Sequence, residues 1–268
     1  MNLLLEMSAY GIFGLVIGSF LNVVLLRHGA RSIGGRSECL HCRTPLLWYD
    51  MFPVISWIAL GGRCRACGTR ISVQYPLVEA TTAILFALVG PRAPSIPLMF
   101  AFLVVVSLLI LIAAYDIRHT IIPDEWVYAF AALALIIASP SALDLGLQGF
   151  FFLFASGPLC ALPLFTLWFV SRGTWMGLGD AKLALGIGWL LGIGAGLFAL
   201  LTSFVLGALI SVCILMPWPY IAANIGITRL RTHHKHLTMK SEVPFGPFLV
   251  LGTFLVWLML LWGIALPI

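Results

Sequence analysis

Charged side chains are scarce in this chain. Asp, Glu, Lys and Arg make up 9% of its 268 residues, whereas hydrophobic residues make up 61%. So few charges cannot surround a soluble domain of this size, which excludes that class of protein. A mean hydropathy of +1.07 instead predicts an all-α polytopic membrane protein, built from apolar helices that cross a bilayer.

The chain also has no solvated basic helix and no signal-peptide pattern. Its formal net charge is +5, but Lys and Arg are scattered over short loops between apolar runs, so nucleic acid is not an expected partner. The first apolar run, Leu3 to Leu26, lacks a basic segment before it and a small-residue cleavage site after it. It is therefore expected to be retained as a transmembrane helix.

The spacing of the apolar runs predicts about eight transmembrane helices. With both termini outside, every Lys and Arg except Arg92 lies on or close to the cytoplasmic side, which agrees with the positive-inside rule. We expect three regions: a first transmembrane helix at 1–26, a cytoplasmic four-cysteine domain at 27–75 and a transmembrane core at 76–268. A basic loop with His233 to His236 is interpreted as a solvated loop near anionic lipid, with a metal site as the alternative.

Four cysteines mark the one sizeable polar insert. They form two CxxC pairs about twenty residues apart, Cys39 with Cys42 and Cys64 with Cys67. This spacing is typical of a tetrahedral four-thiolate zinc site in which each pair forms a knuckle. A disulfide pair is the alternative, but the positive-inside rule places the insert in the reducing cytoplasm, where disulfides seldom persist. The sequence therefore predicts a small zinc-ribbon-like domain.

Aromatic residues lie between the two cysteine pairs. They include Trp48, Tyr49, Phe52 and Trp57, which accompany Pro53 in a segment without a long apolar run. Such a segment is typical of an amphipathic patch, and we expect it to rest on the inner leaflet of the membrane. Membrane lipid is thus an expected partner of the insert as well as of the helices.

Two acidic residues interrupt the apolar runs. Asp116 ends a segment of membrane length, and Asp180 follows in Gly177-Leu-Gly-Asp180, with two apolar segments between the two acids. An ionised side chain at the bilayer midplane costs roughly 2.5–3.5 kcal/mol, so such acids usually mark function or lie at the water boundary. Because two intervening segments return the chain to the side it left, both carboxylates should lie at the same membrane face. Alone, Asp180 would be interpreted as a helix cap.

Glu79 and Asp124 each have two interpretations. Glu79 follows Tyr75-Pro-Leu-Val78 at the start of the second apolar run, where the helix dipole favours an acid; alternatively it belongs to a site at the cytoplasmic mouth. Asp124 is well placed to cap the fourth apolar helix, or it has a chemical role. The pattern of residues leaves both alternatives open for each acid.

In this order and spacing, the motifs resemble those of the bacterial type IV prepilin peptidases, and the likeness covers essentially the whole chain. The Gly-x-Gly-Asp element is also similar to that of presenilin-type intramembrane aspartyl proteases. The motifs that carry the resemblance are Gly18-Ser-Phe-Leu-Asn22, the two CxxC pairs, Tyr75-Pro-Leu-Val-Glu79, Asp116 through Asp124, Gly177-Leu-Gly-Asp180 with Ala181-Lys182, and Pro244-Phe-Gly-Pro247.

The resemblance implies a bifunctional enzyme of the bacterial inner membrane that serves type IV pili or type II secretion. Such an enzyme cleaves the basic leader of a prepilin or pseudopilin after a glycine at the cytoplasmic face. It then methylates the new N-terminal residue, usually phenylalanine, with S-adenosylmethionine as donor. Asp116 and Asp180 match the catalytic aspartates of the family. The chain has no glycine-rich Rossmann fingerprint, and we expect Glu79 and the cysteine insert to shape the methyl-transfer site.

A basic leader should be met by acidic side chains on the enzyme. Asp50, Asp124 and Glu125 are the expected leader-binding residues. Two other functions are considered, a peptidase without methyltransferase activity and a proton-coupled transporter. The intact cysteine insert argues against the first, and the lack of an evident inverted repeat between the halves of the sequence argues against the second.

Overall fold

The computed structural model of the chain describes residues 2–29, 32, 34–215 and 244–267. Most of these residues are helical, and within these ranges the only strand-like pairings are two isolated β-bridges. Two 3₁₀ turns, Trp48–Met51 and Gly90–Arg92, and a π-turn, Ser211–Leu215, accompany the α-helices. The α-helices are α1 (Leu3–Arg27), α2 (Ile55–Ala59), α3 (Gln74–Val89), α4 (Ile96–His119), α5 (Asp124–Asp144), α6 (Gly146–Ser171), α7 (Leu178–Leu191), α8 (Ile193–Ile210) and α9 (Gly246–Leu261).

Each of the eight expected membrane segments corresponds to one of these helices. Five are long and apolar enough to cross a bilayer: α1, α4, α5, α6, and α8 together with its extension to Cys213. The other three, α3, α7 and α9, have 16, 14 and 16 residues. The prediction of an all-α polytopic membrane protein is confirmed. The basic loop with His233 to His236 lies outside the residues that the structure describes.

The chain divides into two compact units. The first contains Met1–Tyr115 with Leu261–Gly263, and the second contains Asp116–Leu260 with Ile264–Ile268. The cysteine insert therefore belongs to the first unit, while both Asp116 and Asp180 belong to the second. The expected regions 1–26, 27–75 and 76–268 stay a prediction.

Close contact between α1 and α3 organises the first unit. A Cβ added at Gly14 would lie 2.7 Å from the Cα of Ala83, and one at Gly18 would lie 2.7 Å from the Cα of Glu79. One turn further along α1, the Asn22 amide donates a hydrogen bond of 3.1 Å to the carbonyl oxygen of Tyr75. Small residues allow this approach because apolar helices in lipid associate mainly through packing and interhelical hydrogen bonds.

In the second unit, glycines allow α7 to pack closely against α5 and α6. A Cβ at Gly186 would lie 2.5 Å from the ring of Phe130 on α5. A Cβ at Gly157 on α6 would likewise lie 2.5 Å from the indole of Trp189 on α7. These contacts fix α7, which carries Asp180 in its first turn.

Gly18→Ala is expected to lower the free energy of unfolding by about 1–3 kcal/mol, because overpacking forces α1 away from α3. Gly11→Ala is the matched control, since its Cβ would have no neighbour closer than 3.8 Å. Thermal unfolding of both variants in one detergent measures the difference. Equal midpoints for the two variants would contradict the importance of the close contact at Gly18.

Candidate functional site

Asp116 is held between the end of one helix and the start of another. It lies in the last turn of α4 and is 4% exposed. Its Oδ2 accepts a hydrogen bond of 3.0 Å from the backbone N–H of Gly246, the first residue of α9. The first N–H groups of a helix have no partner within it, so they are available to a carboxylate. After Asp116 the chain leaves α4 at Thr120, whose φ is +53°.

Asp180 is the third residue of α7 and is 7% exposed. Its carboxylate accepts a hydrogen bond from the backbone N–H of Gly177, the residue that caps the helix. Gly177, and not Asp180, is the N-cap of α7, so the interpretation of Asp180 as a helix cap is wrong. Asp116 and Asp180 are also close enough for their charges to act on each other.

Ile122 lies between the segments that carry the two acids. A Cβ at Gly179 would lie 3.0 Å from the Cβ of Ile122, and one at Gly246 would lie 3.2 Å from its Cδ1. The same Cβ at Gly246 would lie 2.7 Å from Oδ2 of Asp116. Glycine is therefore required where the starts of α7 and α9 reach the loop after α4.

The arrangement is a pair of buried carboxylates, each held by one backbone N–H. Such a pair can divide the acid and base roles of a hydrolysis, since one carboxyl keeps a proton while the other is ionised. The catalytic assignment of Asp116 and Asp180 stays a prediction. The sequence indicated Gly246 only as part of a motif, because the hydrogen bond joins residues 130 positions apart.

Asp124 and Glu125 begin α5 in the same unit. Asp124 is not the helix cap, since Pro123 occupies that position. Its two carboxylate oxygens instead lie 2.7 and 2.8 Å from Nζ of Lys182 on α7. This ion pair is partly exposed and therefore contributes about 0.2–1 kcal/mol. Glu125 is exposed.

Asp50 lies in the first unit, beside the second cysteine pair. Its Oδ1 is 2.9 Å from Nε of Arg65, whose guanidinium also lies 5.0 Å from the centre of the Tyr49 ring. The Asp50 side chain is largely buried in this contact. The leader-binding role expected of Asp50, Asp124 and Glu125 stays a prediction.

The four cysteines of the insert come together as their spacing predicts. One ligand atom from each lies within 4.8 Å of all the others, and Sγ of Cys39 is 3.9 Å from Sγ of Cys67. The two knuckles repeat the same hydrogen bonds 25 positions apart along the chain. The Cys39 N–H donates to the carbonyl oxygen of Thr44 at 3.0 Å, and the Cys64 N–H donates to that of Thr69 at 2.8 Å.

Hydrogen bonds around the thiols favour their ionised form. Thr44 lowers the pKa of Cys42, and Thr69 lowers the pKa of Cys67. In each case the hydrogen bond with the threonine hydroxyl has the larger effect, and the hydrogen bond with the threonine backbone has the smaller one. The backbone N–H groups of Cys67 and Ala66 lower the pKa of Cys64.

The Cys39 thiol differs from the other three. The backbone N–H groups of Cys42 and His41 lower its pKa, but burial and the adjacent thiols of Cys64 and Cys42 outweigh them and raise it. Thiolates are the form that binds metal. Four converging thiols, three of them favoured as thiolates, therefore fit a tetrahedral metal site.

Glu79 faces α1 and the insert from the second turn of α3, so the first-turn interpretation is wrong. Its Oε2 accepts a hydrogen bond of 2.7 Å from the backbone N–H of Val54, and the Ser19 hydroxyl also donates to the carboxylate. No pattern of residues indicated the contact of Glu79 with Val54. A role for Glu79 in binding a methyl donor stays a prediction.

Comparisons with known proteins agree with this picture. Residues 12–92 match the model of the bacterial Peptidase A24 N-terminal domain, and residues 103–212 match that of the type IV leader peptidase family. No solved structure matches the chain.

Several relatives of this chain carry the name prepilin leader peptidase/N-methyltransferase. The one from Bacillus subtilis is 32% identical, and the alignment covers 94% of each chain. The one from Aeromonas hydrophila is 30% identical over 97% of this chain and 91% of that protein. The one from Myxococcus xanthus is 39% identical over 50% of this chain and 40% of that protein. Two consecutive family models and two nearly full-length relatives thus agree that this chain belongs to the type IV leader peptidase family.

Proposed function

We propose that this multi-pass membrane protein removes the basic leader of type IV prepilins or pseudopilins and then methylates the new N-terminal residue. The observation that carries the proposal is the pair of buried carboxylates, Asp116 and Asp180, in a chain of this family. Cleavage takes place after a glycine at the cytoplasmic face of the inner membrane. The distribution of Lys and Arg along the sequence supports that orientation.

Hydrolysis uses the two carboxylates as a unit. Neighbouring carboxylates cannot both ionise cheaply, so the pair holds one proton at working pH. The ionised member takes a proton from water as the water oxygen attacks the scissile carbonyl carbon, and the protonated member donates to the carbonyl oxygen. When the C–N bond breaks, the first carboxyl gives its proton to the leaving nitrogen, and the second carboxylate takes a proton back from a hydroxyl of the gem-diol as the new carboxyl group forms.

Backbone N–H groups keep the two carboxylates in position during these steps. Gly246 donates to Asp116 and Gly177 donates to Asp180, so neither side chain has to reorient before it acts. Such preorganised donors are worth more in a site with little water, because water does not compete for the carboxylate. Packing of Ile122 between the two glycine-containing segments limits the space for water.

The leader is a basic segment, and acids near the start of α5 are suited to receive it. Asp124 is neutralised by Lys182, so a basic leader residue would compete with that lysine for the carboxylate. Glu125 is exposed at the same helix end. Asp50 has Arg65 as its partner and would interact with the leader in the same competitive way.

The cysteine insert would hold a structural zinc ion through Cys39, Cys42, Cys64 and Cys67. Binding of a metal there supplies folding free energy to the two knuckles. S-adenosylmethionine, when bound, would supply a methyl group from its sulfonium to the new N-terminal amine, with loss of the S–CH3 bond and of one amine proton. Glu79 and the insert shape the site for this transfer, and the hydrogen bond from Val54 to Glu79 supports such a role.

Asp116→Asn and Asp180→Asn are each expected to abolish leader removal, because an amide can neither take a proton from water nor complete the shared-proton pair. Both variants should still methylate pilin that has already been cleaved. Mass spectrometry of purified enzyme with prepilin, and separately with precleaved pilin, measures the two steps. Normal cleavage by either variant would show that the pair is structural.

Gly246→Ala is expected to reduce kcat for cleavage by about tenfold or more, a change of about 1.4 kcal/mol in the activation barrier. The added Cβ would lie 2.7 Å from Oδ2 of Asp116 and must displace the carboxylate. Gly177→Ala is the matched comparison, because its Cβ would lie 3.7 Å from the Asp180 carboxylate. Steady-state kinetics should show the larger loss at Gly246, without a matching rise in KM. A larger loss at Gly177 would contradict the proposed packing.

Cys39→Ser and Cys64→Ser are expected to lower the metal content of the protein and to impair methylation more than cleavage. Each substitution removes one of four thiolates, so the knuckles lose the free energy that metal binding contributes to their folding. Elemental analysis of the purified variants and the two activity assays provide the measurements. An equal loss of both activities would instead indicate a general folding defect.

A further inference from the structure

The segment between the two cysteine pairs exposes large apolar side chains. It comprises residues 47–59, hereafter the 47–59 segment, and contains the 3₁₀ turn and α2. Trp48 is 70% exposed, Ile55 66% and Ile58 65%, and Phe52 is also exposed. Side chains of this size on a short polar insert mark a surface that contacts something other than water.

The aromatic side chains of the 47–59 segment support one another. The Trp48 ring meets Tyr49 edge to face at 5.6 Å between centroids and meets Phe52 in the same way at 5.8 Å. With five residues, α2 is far too short to cross a bilayer. Tryptophan and tyrosine are enriched where a membrane meets water, since one part of each ring is apolar and the other is polar.

The backbone N–H of Val54 links the 47–59 segment to α3. Val54 lies between the 3₁₀ turn and α2, and its N–H donates to Glu79 at 2.7 Å. Its backbone has φ of +60° and ψ of −49°, a conformation in which a β-branched residue is an outlier. The hydrogen bond to a buried carboxylate compensates for this unfavourable backbone.

The position of Glu79 places that attachment within the lengths of α1 and α3 and not at their ends. Glu79 is the sixth residue of α3, so it lies about 7–8 Å along the axis from the start of the helix. It is 7% exposed and is flanked by Gly18 and Ser19 of α1. Gly18 lies nine residues before the end of α1, about 13–14 Å along its axis, so the hydrogen bond to Glu79 holds Val54 beside the apolar part of the two helices.

We infer that the 47–59 segment is an interfacial lipid anchor, with Trp48, Phe52, Ile55 and Ile58 buried in the boundary between headgroups and acyl chains. Lipid is the occupant because both ends of the insert continue into apolar helices, α1 and α3, so the insert stays at a bilayer surface. Cations in the insert suit an anionic headgroup layer. The basic residues of the second cysteine pair and its flanks are Arg63, Arg65 and Arg70.

Glu79 is a positioning residue for this anchor. Its carboxylate acts through the Val54 N–H and sets the depth at which the segment meets the lipid. This role does not depend on the proposed leader cleavage or methylation. The anchor would also hold the four-cysteine cluster near the membrane, because the anchor and the cluster belong to the same insert.

Photolabelling of the full-length protein in nanodiscs tests the anchor. The nanodiscs contain anionic phospholipid with a diazirine in the upper part of the acyl chain, and mass spectrometry locates the adducts after irradiation. Adducts are expected on the 47–59 segment, with exposed residues of α1 such as Ile12 and Phe20 as the positive reference. Labelling of α1 without any labelling of the 47–59 segment would overturn the proposal.

Variants of the attachment separate its role from general folding. Glu79→Ala should lower labelling of the 47–59 segment by about threefold or more relative to α1, because the segment is no longer held at the interface. Glu79→Gln keeps an acceptor oxygen and Val54→Gly keeps the N–H, so both should label nearly as the unaltered protein does. Unchanged labelling in Glu79→Ala would refute the role of Glu79.

A second variant tests the surface without touching the attachment. Ile55→Ser combined with Ile58→Ser alters exposed side chains only, so the insert should fold and retain its metal content. Labelling at Trp48 and Phe52 should fall. If instead the 47–59 segment is free of lipid adducts and cross-links to added prepilin, the surface receives the substrate helix and the lipid anchor is excluded.

Discussion

The hydrogen bond from Gly246 to Asp116 is the interaction on which the second unit depends. It joins the end of α4 to the start of α9 across a gap that only a glycine leaves open. A buried carboxylate without a donor would be costly in a chain with so little polar surface. Because Oδ2 of Asp116 needs a hydrogen-bond donor, the start of α9 must lie next to it. The loop with Ile122 and the start of α7 then pack against this contact.

Backbone N–H groups also hold the other two acids that are buried in the α-helices of the described ranges. Asp180 takes the N–H of Gly177, and Glu79 takes the N–H of Val54. No lysine or arginine is buried beside them in those ranges, so dipoles rather than full charges hold the carboxylates. Backbone donors fix a direction without neutralising the acid, which leaves it able to exchange protons. In the described ranges, these acids are thus held inside apolar helices without a buried cation beside them.

Local patterns predicted much of this structure, while contacts between distant residues escaped prediction. The apolar runs predicted the helices, and the CxxC spacing predicted the thiol cluster. Both predictions rest on residues that are close in sequence. Asp116 and Asp180 were expected at the same membrane face because two apolar segments separate them in the sequence. The ion pair of Asp124 with Lys182 and the donors to Asp116 and Glu79 were missed, since any backbone N–H can donate and sequence does not mark which one does.

The repeated knuckles bear on how a metal ion would leave the insert. Each cysteine pair is shaped by its own hydrogen bonds to a following threonine, so one half can open while the other keeps its form. An ion released by two thiolates would still be chelated by the remaining two, and rebinding would be intramolecular. Dissociation would then require two openings in close succession. Duplication of the knuckle would therefore slow the exchange of a bound ion, a kinetic property separate from its equilibrium affinity.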